Sequence, residues 1–198
     1  MNLIKNDIPI LEYDTNSKAV IMPGHSTNFH FPEKAVMLFM ETEIDDYAFS
    51  DCSALVEVSI PSSVDEIGSC AFNYCTALSS IVIPDSVTEI EEGAFSECRA
   101  LTTVVLPNSL TEISDYLFSC CASLSNILIP ASVTEIETGA FQRCTALVSI
   151  VIPDSVTEIE DIAFSECSAL RSVLLPASVT EIGVGAFDKC PNLTLTVF

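Results

Sequence analysis

Residues 130–152 read PASVTEIETGAFQRCTALVSIVI, and this pattern recurs every 23 residues from Leu38 to Phe198 without one insertion or deletion. Prolines mark the period at Pro61, Pro84, Pro107, Pro130, Pro153 and Pro176. Self-similarity at a fixed short period specifies a solenoid, in which like coils stack and each buries its apolar face on its neighbours. Within the quoted unit, Val133, Ile136, Ala140, Phe141, Cys144, Leu147, Ile150 and Ile152 recur as the same residue types in nearly every repeat. The stretch ending at Ile150 and Ile152 alternates β-branched residues with period two, which predicts a strand. The following proline ends it, because proline has no N–H to continue the ladder. Ser132 to Ile136 alternates again and predicts a second short extended piece. Gly139 to Cys144 predicts a tight corner, or a single helical turn, built around Phe141. Stacked in register, seven coils at about 4.8 Å make a rod about 34 Å long.

The order IP, SVTEI, AF, C and L in each unit resembles the BspA-type leucine-rich repeat. The resemblance covers 38–198. It implies a repeat solenoid of leucine-rich-repeat type, with a parallel β-sheet along one face and short extended or helical turns elsewhere. It also implies a protein that binds other proteins or adheres at microbial surfaces, with no enzyme activity attached to the repeat. Two departures stand out. The signal peptide usual in surface members is missing, and the final unit, Leu193 to Phe198, slips its alternation by one residue.

The division expected is therefore an N-terminal segment, 1–37, and an array of seven coils, 38–198. In the first, Ile8 to Tyr13 and Lys18 to Met22 predict two short strands around the polar turn Asp14-Thr15-Asn16-Ser17, forming a cap over the first coil. The stretch IPILEYDTNSKAVIMP is also similar to the leading segment of bacterial nucleoside phosphorylase-like proteins, which implies a regulatory remnant of a nucleoside-processing enzyme. No site residue carries over.

The net charge is −21, and 24 of the 28 acidic residues lie in the array against Arg99, Arg143, Arg171 and Lys189. A field of that sign repels phosphate, so nucleic acid and anionic membranes are poor partners, which leaves basic proteins, cations and neutral surfaces. No run of 18 apolar residues exists to span a membrane. As written, the chain reads as cytoplasmic, or as a cell-surface protein if a leader has been removed.

Three rows carry the candidate chemistry. Cysteines recur at one repeat position, from Cys52 through Cys144 to Cys190. Stacked Cβ atoms sit about 4.8 Å apart, wider than the roughly 3.8 Å of a disulfide. Neither His25 nor His30 lies in the array to complete a zinc site. Reduced core thiols are therefore expected, with Cys70 and Cys120, which stand off the row, as the reactive ones. An acidic ladder runs through Glu43, Glu66, Glu89, Glu112, Glu135, Glu158 and Glu181, with Asp45, Glu91, Glu137 and Glu160 two residues on. Calcium binding is one reading of it. A solvated edge is the other and is favoured, since glycine-rich turns supplying carbonyl ligands are absent. No metal and no cofactor is expected.

The third row follows from strand alternation. If Ile81 and Ile83 point inward, Val82, Val105, Leu128, Val151 and Leu174 point out, bordered by Ser80, Thr103, Asn126, Ser149 and Ser172. Two readings stand: a binding stripe, or plain β-propensity on a sheet face partly covered by the N-terminal segment. Catalysis is not expected. The array's serines and threonines have no histidine as base, and six glycines in the chain form no phosphate loop. The function expected is a non-catalytic protein-interaction scaffold. The alternatives are a surface adhesin or a cation-responsive structural protein; at the far end, either a truncated longer protein or end-to-end pairing through the last coil is expected.

Overall fold

The structure, a computed structural model, describes residues 13–14, 18–19, 34–36 and 42–198. Coils 1 to 7 are numbered from Leu38, Pro61, Pro84, Pro107, Pro130, Pro153 and Pro176. Each coil folds as two short straight runs joined by turns, and the described residues contain no helix. The corner read as a tight turn or one helical turn is thus a pair of stacked turns.

One face is built from β5 (Glu57–Ser59), β7 (Ser80–Val82), β9 (Thr103–Val105), β12 (Ser149–Val151), β14 (Ser172–Leu175) and β16 (Thr194–Val197). The opposite edge carries β4 (Glu43–Ile44), β6 (Glu66–Ile67), β8 (Glu89–Ile90), β10 (Glu112–Ile113), β11 (Glu135–Ile136), β13 (Glu158–Ile159) and β15 (Glu181–Ile182). Except at β8/β10 and β9/β12, neighbours among these pair in parallel at the repeat offset, as in Ile81↔Val104 and Ile136↔Ile159. The last coil departs from it. Ser172 pairs with Thr194, an offset of 22, which is the one-residue slip expected from its alternation.

The offset of 23 also reaches back into the segment read as a cap. In it, β3 (Lys34–Val36) pairs in parallel with β5, Lys34 opposite Glu57. Two further strands extend the same sheet: β2 (Lys18–Ala19) runs parallel to β3, and β1 (Tyr13–Asp14) runs antiparallel to β2. The rest of the expected strands at Ile8 to Tyr13 and Lys18 to Met22, and of the stretch similar to nucleoside phosphorylases, lies outside the described residues.

Burial follows the two-residue alternation. In β9 and β12 the middle residue is buried and its neighbours are exposed. The core is a set of columns running through the stack. Phe49, Phe72, Phe95, Phe118, Phe141 and Phe164 are fully buried, and their rings stack in parallel with Phe187 at centroid spacings of 4.9 to 5.9 Å. Full burial of one such side chain contributes about 1.5–3 kcal/mol, so the column is a main source of cohesion between coils.

The corners show why the repeat folds this way. In coil 1, Ala48 N donates to Asp45 O and Ser50 N to Tyr47 O, closing two turns within the coil. The intervening N–H groups of Tyr47, Phe49 and Asp51 donate instead to Ser69, Ala71 and Asn73 of the next coil. Holding alternate donors outward requires left-handed residues at two fixed places. Gly93, Gly139 and Gly185 fill the first in three coils, while Tyr47, Cys70, Tyr116 and Ile162 adopt φ between 51° and 58° there. Glycine accepts this conformation without the Cβ penalty that the others incur.

Candidate functional site: the strand face

Alternation along the strands places the third row outward. Val82, Val105, Leu128 and Val151 are 63%, 48%, 81% and 54% exposed. Val82 lies opposite Val105 in the ladder, and Val151 opposite Leu174. Leu174 departs from expectation, being half-buried. It has an in-register neighbour on both sides, Val151 and Thr196, because the slipped β16 brings Thr196 beside it. The polar border divides likewise: Thr103, Asn126 and Ser149 are exposed, whereas Ser80 and Ser172 are half-buried. Sequence reasoning missed Val148, which is exposed beside the row on the turn leading into β12. Its position, normally Ser or Thr, was the available signal. The result is an aliphatic stripe bordered by the hydroxyls of Ser80, Thr103, Ser149 and Ser172 and the amide of Asn126, with no charge at those five positions.

The acidic ladder runs in two in-register pieces, Glu43↔Glu66↔Glu89 and Glu112↔Glu135↔Glu158↔Glu181, with no pairing between Glu89 and Glu112. Burial first, and then the like charges above and below, hold the carboxyls of Glu66, Glu112 and Glu158 above the ordinary range. Stacked like charges about 5 Å apart repel by about 1 kcal/mol in water.

The shorter acidic row has a structural role. Glu91 accepts from Ser69 N at 2.9 Å and Ser69 Oγ at 2.6 Å. Glu137 accepts from Asp115 N at 3.0 Å, and Glu160 from Thr138 Oγ1 at 2.7 Å. These carboxylates therefore tie one coil's corner to the next. Burial, with Glu112 adding repulsion, pushes Glu137 up to about 7. Among the described residues, Glu112, Glu135 and Glu137 bring one carboxylate oxygen each within 4.8 Å of one another. All three are half-buried, and they form part of the ladder already described.

Most of the array's cations sit elsewhere. Arg99 pairs with Glu97 at 2.8 Å, and Glu166 bridges Arg143 at 3.0 Å and Lys189 at 2.6 Å along the corner. Such exposed pairs contribute little, typically below about 1 kcal/mol.

The cysteine row is accounted for by the backbone. Cys98 Sγ donates to Phe72 O at 3.2 Å, and Cys144 Sγ to Phe118 O at 3.2 Å, each reaching one coil back. The same contact recurs from Cys75 to Cys190. The thiol thus fills core volume and gives each corner carbonyl a second donor. All nine cysteines are free. Burial pushes the Cys98 and Cys167 thiols up to about 12. Cys70 and Cys120, off the row, are half-buried, and burial with the nearby Glu92 charge also raises Cys70.

No helix among the described residues is long and apolar enough to cross a membrane. The chain matches the family description "BspA type leucine rich repeat region" in six copies, over residues 27–148 and 66–194. No curated protein matches it. Among solved structures it is similar to a leucine-rich repeat protein of T. pallidum at 32% identity and TM-score 0.76, covering 93% of this chain and 87% of that one. A leucine-rich cell surface protein of Faecalibacterium prausnitzii A2-165 matches at 29% identity and TM-score 0.54, covering 97% and 77%. A leucine-rich repeat protein of Bacteroides ovatus, at 21% identity and TM-score 0.51 over 98% and 82%, shares the fold. With the repeat pattern, its parallel ladders and this match in agreement, the chain belongs to the BspA-type leucine-rich repeat family.

Proposed function

We propose that this protein is a non-catalytic scaffold that binds a protein partner through its strand face. The observation that carries the reading is the aliphatic row Val82, Val105, Leu128 and Val151, exposed one per coil from coil 2 to coil 5 and bordered by uncharged polar side chains. Apolar patches of this kind on an otherwise strongly charged protein mark interaction surfaces. The net charge of −21 and the Glu66 to Glu181 ladder select a partner with cationic groups around an apolar contact. The test is the triple variant Val105→Glu, Leu128→Glu and Val151→Glu in pull-downs against the wild-type bait. Because these side chains lie outside the core, the variant folds with an unchanged circular dichroism spectrum and loses the partner. Retention of the partner by the folded variant sinks the reading; loss of folding shows the row to be core.

A second reading, adhesion at the cell surface, is favoured by the similarity to the F. prausnitzii cell surface protein. Cell fractionation separates the two, since free thiols at this density favour a reducing compartment or an anaerobe. We also propose self-association of this chain through coil 7, on the exposed Ile182, Val184, Val197 and Phe198 beside β15 and β16. Light scattering across protein concentration tests it: a mass that grows supports pairing, and a constant monomer mass removes it.

A further inference from the structure

We infer that the solenoid is jointed between coils 3 and 4. Three backbone rungs recur along the stack with great regularity. On the β4–β15 edge, Thr88 N donates to Asp65 O, Thr134 N to Thr111 O, and Thr157 N to Thr134 O. Beside it, Gly68 N donates to Ile44 O, Glu91 N to Ile67 O, and Glu137 N to Ile113 O. On the strand face, Thr102 N donates to Ser79 O, Val148 N to Ser125 O, and Arg171 N to Val148 O. Among the described residues, all three rungs are missing at one junction: Thr111 to Thr88, Ser114 to Ile90, and Ser125 to Thr102. The ladders show the same fault. The edge strands β8 and β10 do not pair, and 126–128 form no strand, so on that face coil 4 pairs with neither β9 nor β12.

Only the corner remains tied by its regular backbone rungs, through Gly93 N to Asp115 O, Phe95 N to Leu117 O and Glu97 N to Ser119 O. Side chains bridge part of the opened edge. Ser114 Oγ donates to Ile90 O, the carbonyl that a backbone N–H takes in other coils, and Ser109 Oγ donates to Asp85 O at 3.1 Å.

The cause is in the core of coil 4. Leu117 stands where the other six coils have Ala, and Leu110 where coils 2, 3, 5, 6 and 7 have Val. Both are fully buried. The extra methyl and methylene groups overfill the coil and wedge it from its neighbour, since a close-packed interior cannot absorb them in place. The phenylalanine column records the strain: Phe95 and Phe118 stand 5.9 Å apart, its widest step, and Phe118 and Phe141 tilt by 19°, its largest angle. Coils 1–3 and coils 4–7 are thus two blocks hinged on the corner. The joint falls between Val105 and Leu128, so its angle sets the curvature of the strand face whichever partner binds there.

Residue-resolved amide hydrogen exchange on the folded chain tests this. Thr111, Ser114 and Ser125 exchange roughly tenfold or more faster than their counterparts Thr134, Glu137 and Val148. Equal protection of the two sets overturns the joint. The variant Leu110→Val/Leu117→Ala restores the residues of the other coils and raises protection at Thr111 and Ser125 to the level of coil 5. A folded variant whose difference persists overturns the wedge as cause, and if it does not fold the wild-type comparison decides.

Discussion

Phe141 lies in the middle of the ring column, fully buried between Phe118 at 5.6 Å and Phe164 at 5.2 Å. Phe187 is at its end, half-buried, with the one ring neighbour Phe164 at 5.3 Å. In a stack stabilised by nearest neighbours, the same truncation costs different amounts at the two sites. Phe141→Ala removes a fully buried ring from a coil clamped on both sides and costs about 4–5 kcal/mol, the upper part of the range for core phenylalanine. Phe187→Ala loses one stacked pair and about half the burial, and costs roughly 2 kcal/mol. Urea unfolding followed by far-ultraviolet circular dichroism measures both, since the chain has no tryptophan to report by fluorescence. An equal loss at the two positions would refute the column as a continuous core built coil upon coil.

Four more outcomes follow from the rows and their contacts. Cys144→Ser places a more polar, shorter hydroxyl where the thiol reaches Phe118 O, and destabilises by about 1–3 kcal/mol in the same assay. Ellman's reagent on the native protein modifies Cys70 and Cys120 and leaves the buried row of Cys75 to Cys167 untouched, and early reaction of the row counts against its burial. Glu137 has a folded-state pKa of about 7, above its ordinary 4.5, so the protonated form is favoured by folding. Its contribution is therefore complete below pH about 4.5 and is lost as pH rises through about 7, so Tm falls from pH 5.5 to pH 8 at constant ionic strength, and Glu137→Gln flattens the slope. Calcium at about 2 mM raises Tm no more than matched ionic strength does, as a solvated acidic edge requires; a specific rise supports the cation-responsive alternative.

Most of the fold was legible because the repeat states each position up to seven times. Proline ends the strand, Ile81 and Ile83 face in while Val82 faces out, and phenylalanine fills the corner. The thiol row was read as core filling, but its hydrogen bond to the carbonyl one coil back was not readable, because it depends on the lateral placement of the stacked corners. The acidic ladder was legible as a row. The role of Glu91, Glu137 and Glu160 was not, since it requires knowing that Ser69, Asp115 and Thr138 present polar groups beneath them. The exposure of Leu174 was overstated: alternation gives the direction of a side chain, not the neighbours that β16 brings up beside it. The irregularity of coil 4 was visible as Leu110 and Leu117 against a background of Val and Ala. Its consequence, the missing rungs, depends on how the overfilled coil seats against its neighbour, which residue types alone do not state.

The most direct test of the strand-face account is hydrogen exchange and cross-linking of the chain alone and with its captured partner. The account predicts that protection and cross-links gather at Ser80 to Val82, Thr103 to Val105, 126–128 and Ser149 to Val151, the outward faces of adjacent coils. Protection confined to the corner around Arg143 and Glu166, with the exposed aliphatic row unchanged, would contradict it.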